Sequence, residues 1–159
     1  MPDRVVLRRA EPSDRDALVA MQMAAYEPNR AIIGGVPTPL GWDYDAVLEQ
    51  WEVWLAEDDN GLCGALILEP RPDELYIESI AVAPRAKGRG IGNQLIAHAE
   101  SRALRSSRDQ ISLTVNALMT FNIDWYGRKG FAVSSIEVIG QRRRVHMAKA
   151  LCGETPPPL

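Results

Sequence analysis

The sequence has few of the residues that metal centres and disulfide frameworks need. Its 159 residues include two cysteines, Cys63 and Cys152, and two histidines, His98 and His146. Structural zinc sites use four closely spaced Cys or His ligands, and disulfide-built domains are rich in cysteine. Cys63 lies in an apolar run at 62–68 and is expected to be a core residue. We therefore expect neither a metal site nor a disulfide framework.

The chain also lacks a strong charge and a long apolar run. Its formal net charge is −3, whereas a nucleic-acid-binding surface is usually basic. No apolar stretch approaches the roughly 20 residues that span a bilayer. No signal-peptide core follows the first residues, so the expected location is cytoplasmic. These features predict a protein without a nucleic-acid or membrane partner.

What the chain does have is enough apolar sequence for one core. Hydrophobic residues make up 46% and charged residues 25%, as in ordinary globular proteins. The length suits one domain, which we predict at residues 1–152. Residues 153–159 include three consecutive prolines and are expected to be a disordered tail.

Periodicity and turn residues predict eleven elements in the order β-α-α-β-β-β-α-β-α-β-β. Residues 28–41 hold three prolines and three glycines and are predicted to be a loop. The order indicates an α/β fold with one mixed sheet. The predicted elements are a strand at 5–10, helices at 12–28 and 43–50, strands near 53–58, at 62–68 and at 75–82, a helix at 91–104, a strand at 111–115, a helix at 120–128, and strands at 131–138 and 145–150.

Three glycines at alternate positions, Gly88, Gly90 and Gly92, follow the fourth predicted strand and open a helix. Glycine permits left-handed backbone, and a helix start offers unpaired N–H groups with partial positive charge. Together they favour an anion cradle suited to a pyrophosphate, beside the basic residues Arg85, Lys87 and Arg89. Taken alone, the pattern fits an ordinary strand-to-helix turn equally well. It matches neither the Rossmann nor the Walker arrangement.

A wider segment makes the pattern more specific. Residues 80–92 carry Arg85-x-x-Gly88-x-Gly90, which resembles the acyl-CoA-binding segment of the GNAT superfamily of N-acetyltransferases. A second stretch, 113–131, has a strand, a helix and Tyr126-x-x-x-Gly130-Phe131, which is similar to the end of that fold. The resemblance extends over about residues 4–151. It implies a GNAT-like acyl-CoA N-acyltransferase fold, with a cofactor cleft where the sheet splays after the fourth strand.

The resemblance also implies acetyl-CoA as the cosubstrate, without a metal. The last helix contributes Tyr126, which matches the family residue that protonates the leaving thiolate; a purely packing role for this ring is the alternative. The positions that match the family's cofactor contacts are Ile80, Ala81, Val82, Lys87, Gly88, Arg89, Gly90, Ile91, Gly92, Asn93, Asn122 and Tyr126.

An amine acceptor must lose a proton before it attacks, because free amines are mostly protonated at neutral pH. Glu78, on the strand leading to the glycine loop, is the candidate base. The equally weighted alternative is an exposed strand carboxylate. Thr114 stands where some relatives have an acid, and both histidines are expected to be structural.

The acceptor pocket is predicted to come from Tyr26, Tyr44 and the loop at 33–41. Four tryptophans are further candidates, although most of them are expected to fill the core and the helix–sheet contacts instead: Trp42, Trp51, Trp54 and Trp125. The predicted activity is acetyl transfer from acetyl-CoA to a primary amine of a small molecule or amino acid, by direct attack in a ternary complex. Alternatives are a protein or peptide N-acetyltransferase and a non-catalytic acyl-CoA sensor. A homodimer is compatible with the family.

Overall fold

The computed structural model describes residues 4–151, and these form one twisted sheet flanked by helices. The sheet order is β1-β2-β3-β4-β5-β7-β6, and all neighbours are antiparallel except β4 and β5. The predicted mixed α/β sheet is confirmed. The tail at 153–159 lies outside the described residues. The strands are β1 Val6–Arg9, β2 Glu52–Asp58, β3 Gly61–Pro70, β4 Leu75–Val82, β5 Gln110–Asn116, β6 Ala132–Ile139 and β7 Arg142–Ala150.

Five α-helices lie within the described residues: α1 Arg15–Tyr26, α2 Asn29–Ile33, α3 Tyr44–Gln50, α4 Ile91–Arg105 and α5 Thr120–Arg128. The side chain of Asp43 caps α3 by accepting hydrogen bonds from two backbone N–H groups of its first turn. No helix in this part of the chain is long and apolar enough to cross a membrane.

Helix α2 was not predicted, since the segment at 28–41 was interpreted as a loop. Its prolines and glycines mark the ends of a short helix instead. Pro28 precedes the first turn, where a missing N–H costs no hydrogen bond, and Gly34 ends the helix in left-handed conformation at φ 69°. A single 3-10 turn, Thr38–Gly41, follows. The region is therefore more ordered than its composition suggested.

Helix α4 packs on the sheet through an apolar stripe. Ile91, Leu95, Ala99 and Ala103 recur at helical spacing and are each at most 1% exposed. A polar contact holds the same helix to β2, where Glu52 is buried and accepts two hydrogen bonds from Arg102, the shorter 2.6 Å long. This packing positions the N-terminus of α4 at the end of β4.

The sheet opens between β4 and β5. These two strands pair only where residues 75–77 face residues 111–113, so that they diverge from Glu78 onward. Glu78 is itself the extra residue of a β-bulge, because Ile77 and Ser79 face consecutive residues of β3. The predicted splay is therefore present, and a residue of unusual register lies at the point where it begins.

Candidate active site

A cavity of about 780 Å³ occupies the opening between the splayed strands. This volume is typical of sites for small molecules, which are roughly 300–1,000 Å³. Lining residues come from β4, the glycine loop, β5 and α5, and from α1 and α2 on the other side. The predicted site residues that line it are Tyr26, Glu78, Ile80, Ala81, Val82, Lys87, Gly88, Gly90, Ile91, Gly92, Asn93, Asn122 and Tyr126.

The glycine loop has the backbone geometry of an anion cradle. Gly88 and Gly90 are left-handed, with φ of 84° and 80°, and Gly90 is the N-cap of α4. The N–H groups of the first helical residues, Ile91, Gly92 and Asn93, have no acceptor within the helix. All three residues line the cavity together with Lys87. The loop therefore presents donors and positive charge to one end of the cavity.

Two of the three basic side chains predicted to add charge there are directed elsewhere. Arg85 donates to Asp58 over 2.9 and 3.0 Å, and Arg89 donates to the same carboxylate over 2.8 Å. These hydrogen bonds hold the pKa of Asp58 well below its usual range. Neither arginine lines the cavity, whereas Lys87 does. The sequence pattern did not show this, because Asp58 is the last residue of β2, 27 residues before Arg85.

Gly92 serves a different purpose from Gly88 and Gly90. Its backbone is not left-handed, but a Cβ atom at this position would lie 3.2 Å from Cζ2 of Trp125. The missing side chain thus lets the indole ring of α5 pack on the first turn of α4. The same indole contacts the Tyr126 ring edge-on, with ring centroids 5.1 Å apart. Gly92 thereby helps to position Tyr126.

Tyr126 has the properties of a proton donor. Its ring packs against Phe131 at a centroid distance of 5.6 Å, so the predicted packing contact exists. Its hydroxyl nevertheless has no hydrogen-bond partner within residues 4–151, and the residue lines the cavity. Burial, followed by the nearby phenol of Tyr26, raises the pKa of Tyr126, so the phenol stays protonated at neutral pH. The ring of Tyr126 can pack against its neighbours while its hydroxyl donates a proton. The catalytic role stays a prediction.

Glu78 is half-buried rather than a solvated strand carboxylate. Burial and then the adjoining carboxyl of Glu69 raise the pKa of Glu78 to about 7, against the opposing effect of Arg71 and Arg144. Arg71 also donates to Glu69 over 2.9 Å, which holds that carboxyl in place. A carboxyl with a pKa near neutrality can accept and release protons under working conditions. Its predicted role as base is untested by these contacts but fits them.

The two predicted tyrosines of the acceptor pocket occupy different positions. Tyr26 lines the cavity, and its hydroxyl lies 2.7 Å from that of Ser79. Tyr44 does not line it. Its hydroxyl donates to the carbonyl of Pro39 over 2.9 Å and accepts from Gln22, so it is buried behind the wall. Tyr44 therefore supports the loop that forms the pocket.

The tryptophans divide in the same way. Trp42 and Trp125 line the cavity. Trp51 packs edge-on against Trp42, with ring centroids 5.2 Å apart. Trp54 packs against the imidazole of His98 at 4.3 Å. Only two of the four candidate rings can therefore meet a ligand directly.

A chain of hydrogen bonds near the cavity was not foreseen. The hydroxyl of Tyr76 on β4 bonds to Thr114 on β5, whose oxygen lies 2.9 Å from Nδ1 of His146 on β7. Nε2 of His146 lies 3.0 Å from a carboxylate oxygen of Glu137 on β6. Tyr76 and Thr114 line the cavity. Four separate strands contribute, so no local sequence pattern could have revealed it. Within the described residues, no group of three metal-ligating side chains is found.

Comparison with known proteins identifies the family. A family model described as acetyltransferase (GNAT) domain matches residues 49–133, which is 85 of the 159 residues. Among solved structures, the chain is similar to the PaiA N-acetyltransferase of Thermoplasma acidophilum in complex with coenzyme A. The identity is 16% and the TM-score 0.78, over 92% of this chain and 99% of that one.

Two further structures share the fold. The ribosomal-protein-S18-alanine N-acetyltransferase of Escherichia coli is 19% identical, with a TM-score of 0.75 over 96% of this chain and 99% of that one. A GNAT family acetyltransferase of Elizabethkingia anophelis, solved with acetyl-CoA bound, is 18% identical, with a TM-score of 0.68 over 92% and 98% of the two chains. Fold, glycine loop and family match agree, and the chain belongs to the GNAT superfamily of acetyltransferases.

Proposed function

We propose that this protein is an acetyl-CoA-dependent N-acetyltransferase that acetylates a primary amine of a small molecule or amino acid. The observation that carries the proposal is a single cavity with three kinds of group on its wall. An anion cradle lies at the glycine loop, a protonated phenol is contributed by Tyr126, and a carboxyl with a near-neutral pKa is contributed by Glu78.

The donor end of the cavity fits acetyl-CoA. The pyrophosphate would accept hydrogen bonds from N–H groups of the glycine loop, with Lys87 beside it. Residues Ile80 to Val82 lie on the part of β4 that has separated from β5, so backbone groups on that edge have no partner strand and can meet the amide-bearing arm. The carbonyl of Ile80 accepts only a long hydrogen bond, 3.4 Å, from the hydroxyl of Tyr26. Structures of other family members contain coenzyme A or acetyl-CoA, which agrees with this assignment.

The chemistry requires one side chain that accepts a proton from the amine and one that donates a proton to the thiolate. Glu78, as carboxylate, takes a proton from the bound ammonium group, directly or through a water molecule. The amine nitrogen then forms a bond to the acetyl carbon and releases a second proton to solvent, and the carbon–sulfur bond breaks. Tyr126 donates its proton to the departing sulfur and recovers one from solvent. Because both transfers occur with amine and thioester present together, the reaction proceeds by direct attack in a ternary complex.

A small acceptor is favoured by the residues that surround the other end of the cavity. The wall there is built from α2 and the loop after it, with Asn29, Ile33 and Val36 among the lining residues. These side chains form a wall at the acceptor end of the cavity, which supports a free amine over a protein or peptide amine. Protein N-terminal acetylation remains the runner-up within the same chemistry.

Acetyl-CoA is expected to raise the melting temperature of the protein. At a hundred times Kd, a ligand of the native state stabilises by about 2.7 kcal/mol. For a chain of this size, that is a shift of roughly 5–10 °C. Thermal unfolding with acetyl-CoA, NAD and ATP measures it, and release of CoA thiol with a panel of amines measures turnover. A shift with NAD or ATP alone would refute the donor. A shift without thiol release from any amine, peptides included, would favour the sensor.

Gly90→Val is expected to abolish this stabilisation. At φ 80° a β-branched residue is strained, so the loop must move away from the geometry that directs its N–H groups at the ligand. No atom lies within 4 Å of the added Cβ, so the substitution introduces no clash in the core. Gly34→Val is the matched control, because Gly34 is also left-handed, in open space and at a helix end. Equal acetyl-CoA shifts in the two variants would refute the assigned cradle.

A further inference from the structure

The short basic run at 142–144 has no role in acetyl transfer as described above, yet part of it reaches the cavity. Alternate residues of a strand point to opposite faces, so Arg142 and Arg144 share one face of β7 and Arg143 has the other. Arg142 and Arg144 line the cavity, and Arg143 does not. Two guanidinium groups therefore border the space in which the acceptor would bind.

The guanidinium of Arg142 forms no ion pair within the described part of the chain. Within residues 4–151, no carboxylate lies within 4 Å of its guanidinium. The group packs over Gly35, in the loop after α2, with Nη2 only 2.9 Å from the point that a Cβ of Gly35 would occupy. The absent side chain at Gly35 thus makes room for the guanidinium between the β6–β7 hairpin and the acceptor loop.

Arg144 is only loosely neutralised. Its nearest carboxylate oxygen, on Glu137, is 3.8 Å away and is also in contact with His146 at 3.0 Å. On the other side, Arg144 is close enough to Glu78 and Tyr76 to affect both electrostatically. The guanidinium is therefore near the candidate base, where the amine of the acceptor would be.

From this arrangement we infer that the acceptor is a small amine that carries an anionic group, a carboxylate or a phosphate, which Arg142 and Arg144 bind. The inference rests on the proposed function and narrows its acceptor. A simple amine arrives as an ammonium ion, which two nearby guanidinium groups repel. A zwitterionic acceptor removes this conflict, because its anion meets the planar donors of arginine while its amine meets Glu78.

Matched pairs of acceptors test the inference. The pairs are β-alanine with its amide, glycine with its amide, and phosphoethanolamine with ethanolamine, each assayed by release of CoA thiol. The first two pairs test a carboxylate as the bound anion, and the third pair tests a phosphate. We expect kcat/KM to be at least about tenfold higher for the anionic member of one pair. Arg142→Gln should lower that value by roughly 10–100-fold, whereas kcat/KM for the neutral partner should not fall, because one repelling charge is removed. Arg142→Lys should retain part of the activity, since it keeps the charge but loses the planar donors.

Arg143→Gln is the control, because it removes the same charge from the same strand on the other face. Equal turnover of both members of every pair would overturn the inference. Equal losses of kcat/KM for the anionic acceptor in Arg142→Gln and Arg143→Gln would also overturn it. Turnover of peptide amines alone would also overturn it. The proposed donor would survive each of these results as long as acetyl-CoA raises the melting temperature. A last outcome covers the case in which no pair is turned over. The inference then fails if, with CoA present, no anionic member raises the melting temperature more than its neutral partner does.

Discussion

Tyr126→Phe is expected to lower kcat by roughly 10²–10⁴-fold while the affinity for acetyl-CoA changes little. The substitution removes one oxygen from a ring whose packing against Trp125 and Phe131 is retained. That oxygen has no hydrogen-bond partner within residues 4–151, so its loss leaves no buried group unsatisfied. The effect should therefore fall on proton donation to the leaving sulfur rather than on folding or binding.

Steady-state kinetics and the acetyl-CoA thermal shift together measure this prediction. Tyr44→Phe is the matched control, because the Tyr44 hydroxyl bonds to Gln22 and Pro39 behind the cavity wall. The control should lower the melting temperature and leave kcat close to that of the wild type. An unchanged kcat in Tyr126→Phe would assign the proton donor to another group or to water.

Glu78→Gln is expected to have an effect of similar size and to change the pH dependence. Below about pH 7, Glu78 is mostly protonated and cannot accept a proton from the amine. As the pH rises through about 7, the carboxylate forms and kcat/KM should increase. The glutamine variant has no such titration, so this limb of the profile should disappear and activity near neutrality should fall by roughly 10²–10⁴-fold.

A substitution at Glu69 tests whether the neighbouring carboxyl raises the pKa of the candidate base, Glu78. Glu69→Gln removes the carboxyl that, after burial, most raises the pKa of Glu78. The rising limb should then move to lower pH while the activity at its plateau is retained. Profiles of kcat/KM against pH for both variants and the wild type provide the measurement. A limb with the same midpoint in Glu78→Gln would show that a different group accepts the proton.

The parts of this fold that could be predicted are those with a local cause. The stripe on α4 follows from 3.6-residue periodicity, and β4 and α5 are bounded as their turn residues predicted. The glycine loop could be predicted because the proposed anion cradle depends on left-handed backbone, and glycine is the residue that adopts this conformation most readily. Tyr126 was found through its fixed distance along the chain from Gly130 and Phe131.

The parts that could not be predicted depend on partners distant in sequence. Arg89 is 31 residues from Asp58, and nothing local indicates that this carboxylate turns the side chain from the cavity. The bulge at Glu78 is a property of the register with β3, which a single strand does not encode. Likewise, the roles of the two tyrosines are set by distant partners: Tyr26 bonds to Ser79, and Tyr44 bonds to Gln22.

The separation of β4 from β5 gives the sheet two additional edges in its interior. Exposed edges usually invite unwanted pairing with other chains, but these two border a cavity that is lined by other elements of the fold. A ligand held there by main-chain groups is recognised almost independently of the side chains at 80–82. In the proposed mechanism, acceptor recognition depends instead on individual side chains such as Glu78 and Arg142. Substitutions in this protein should therefore alter what is acetylated far more readily than what supplies the acetyl group.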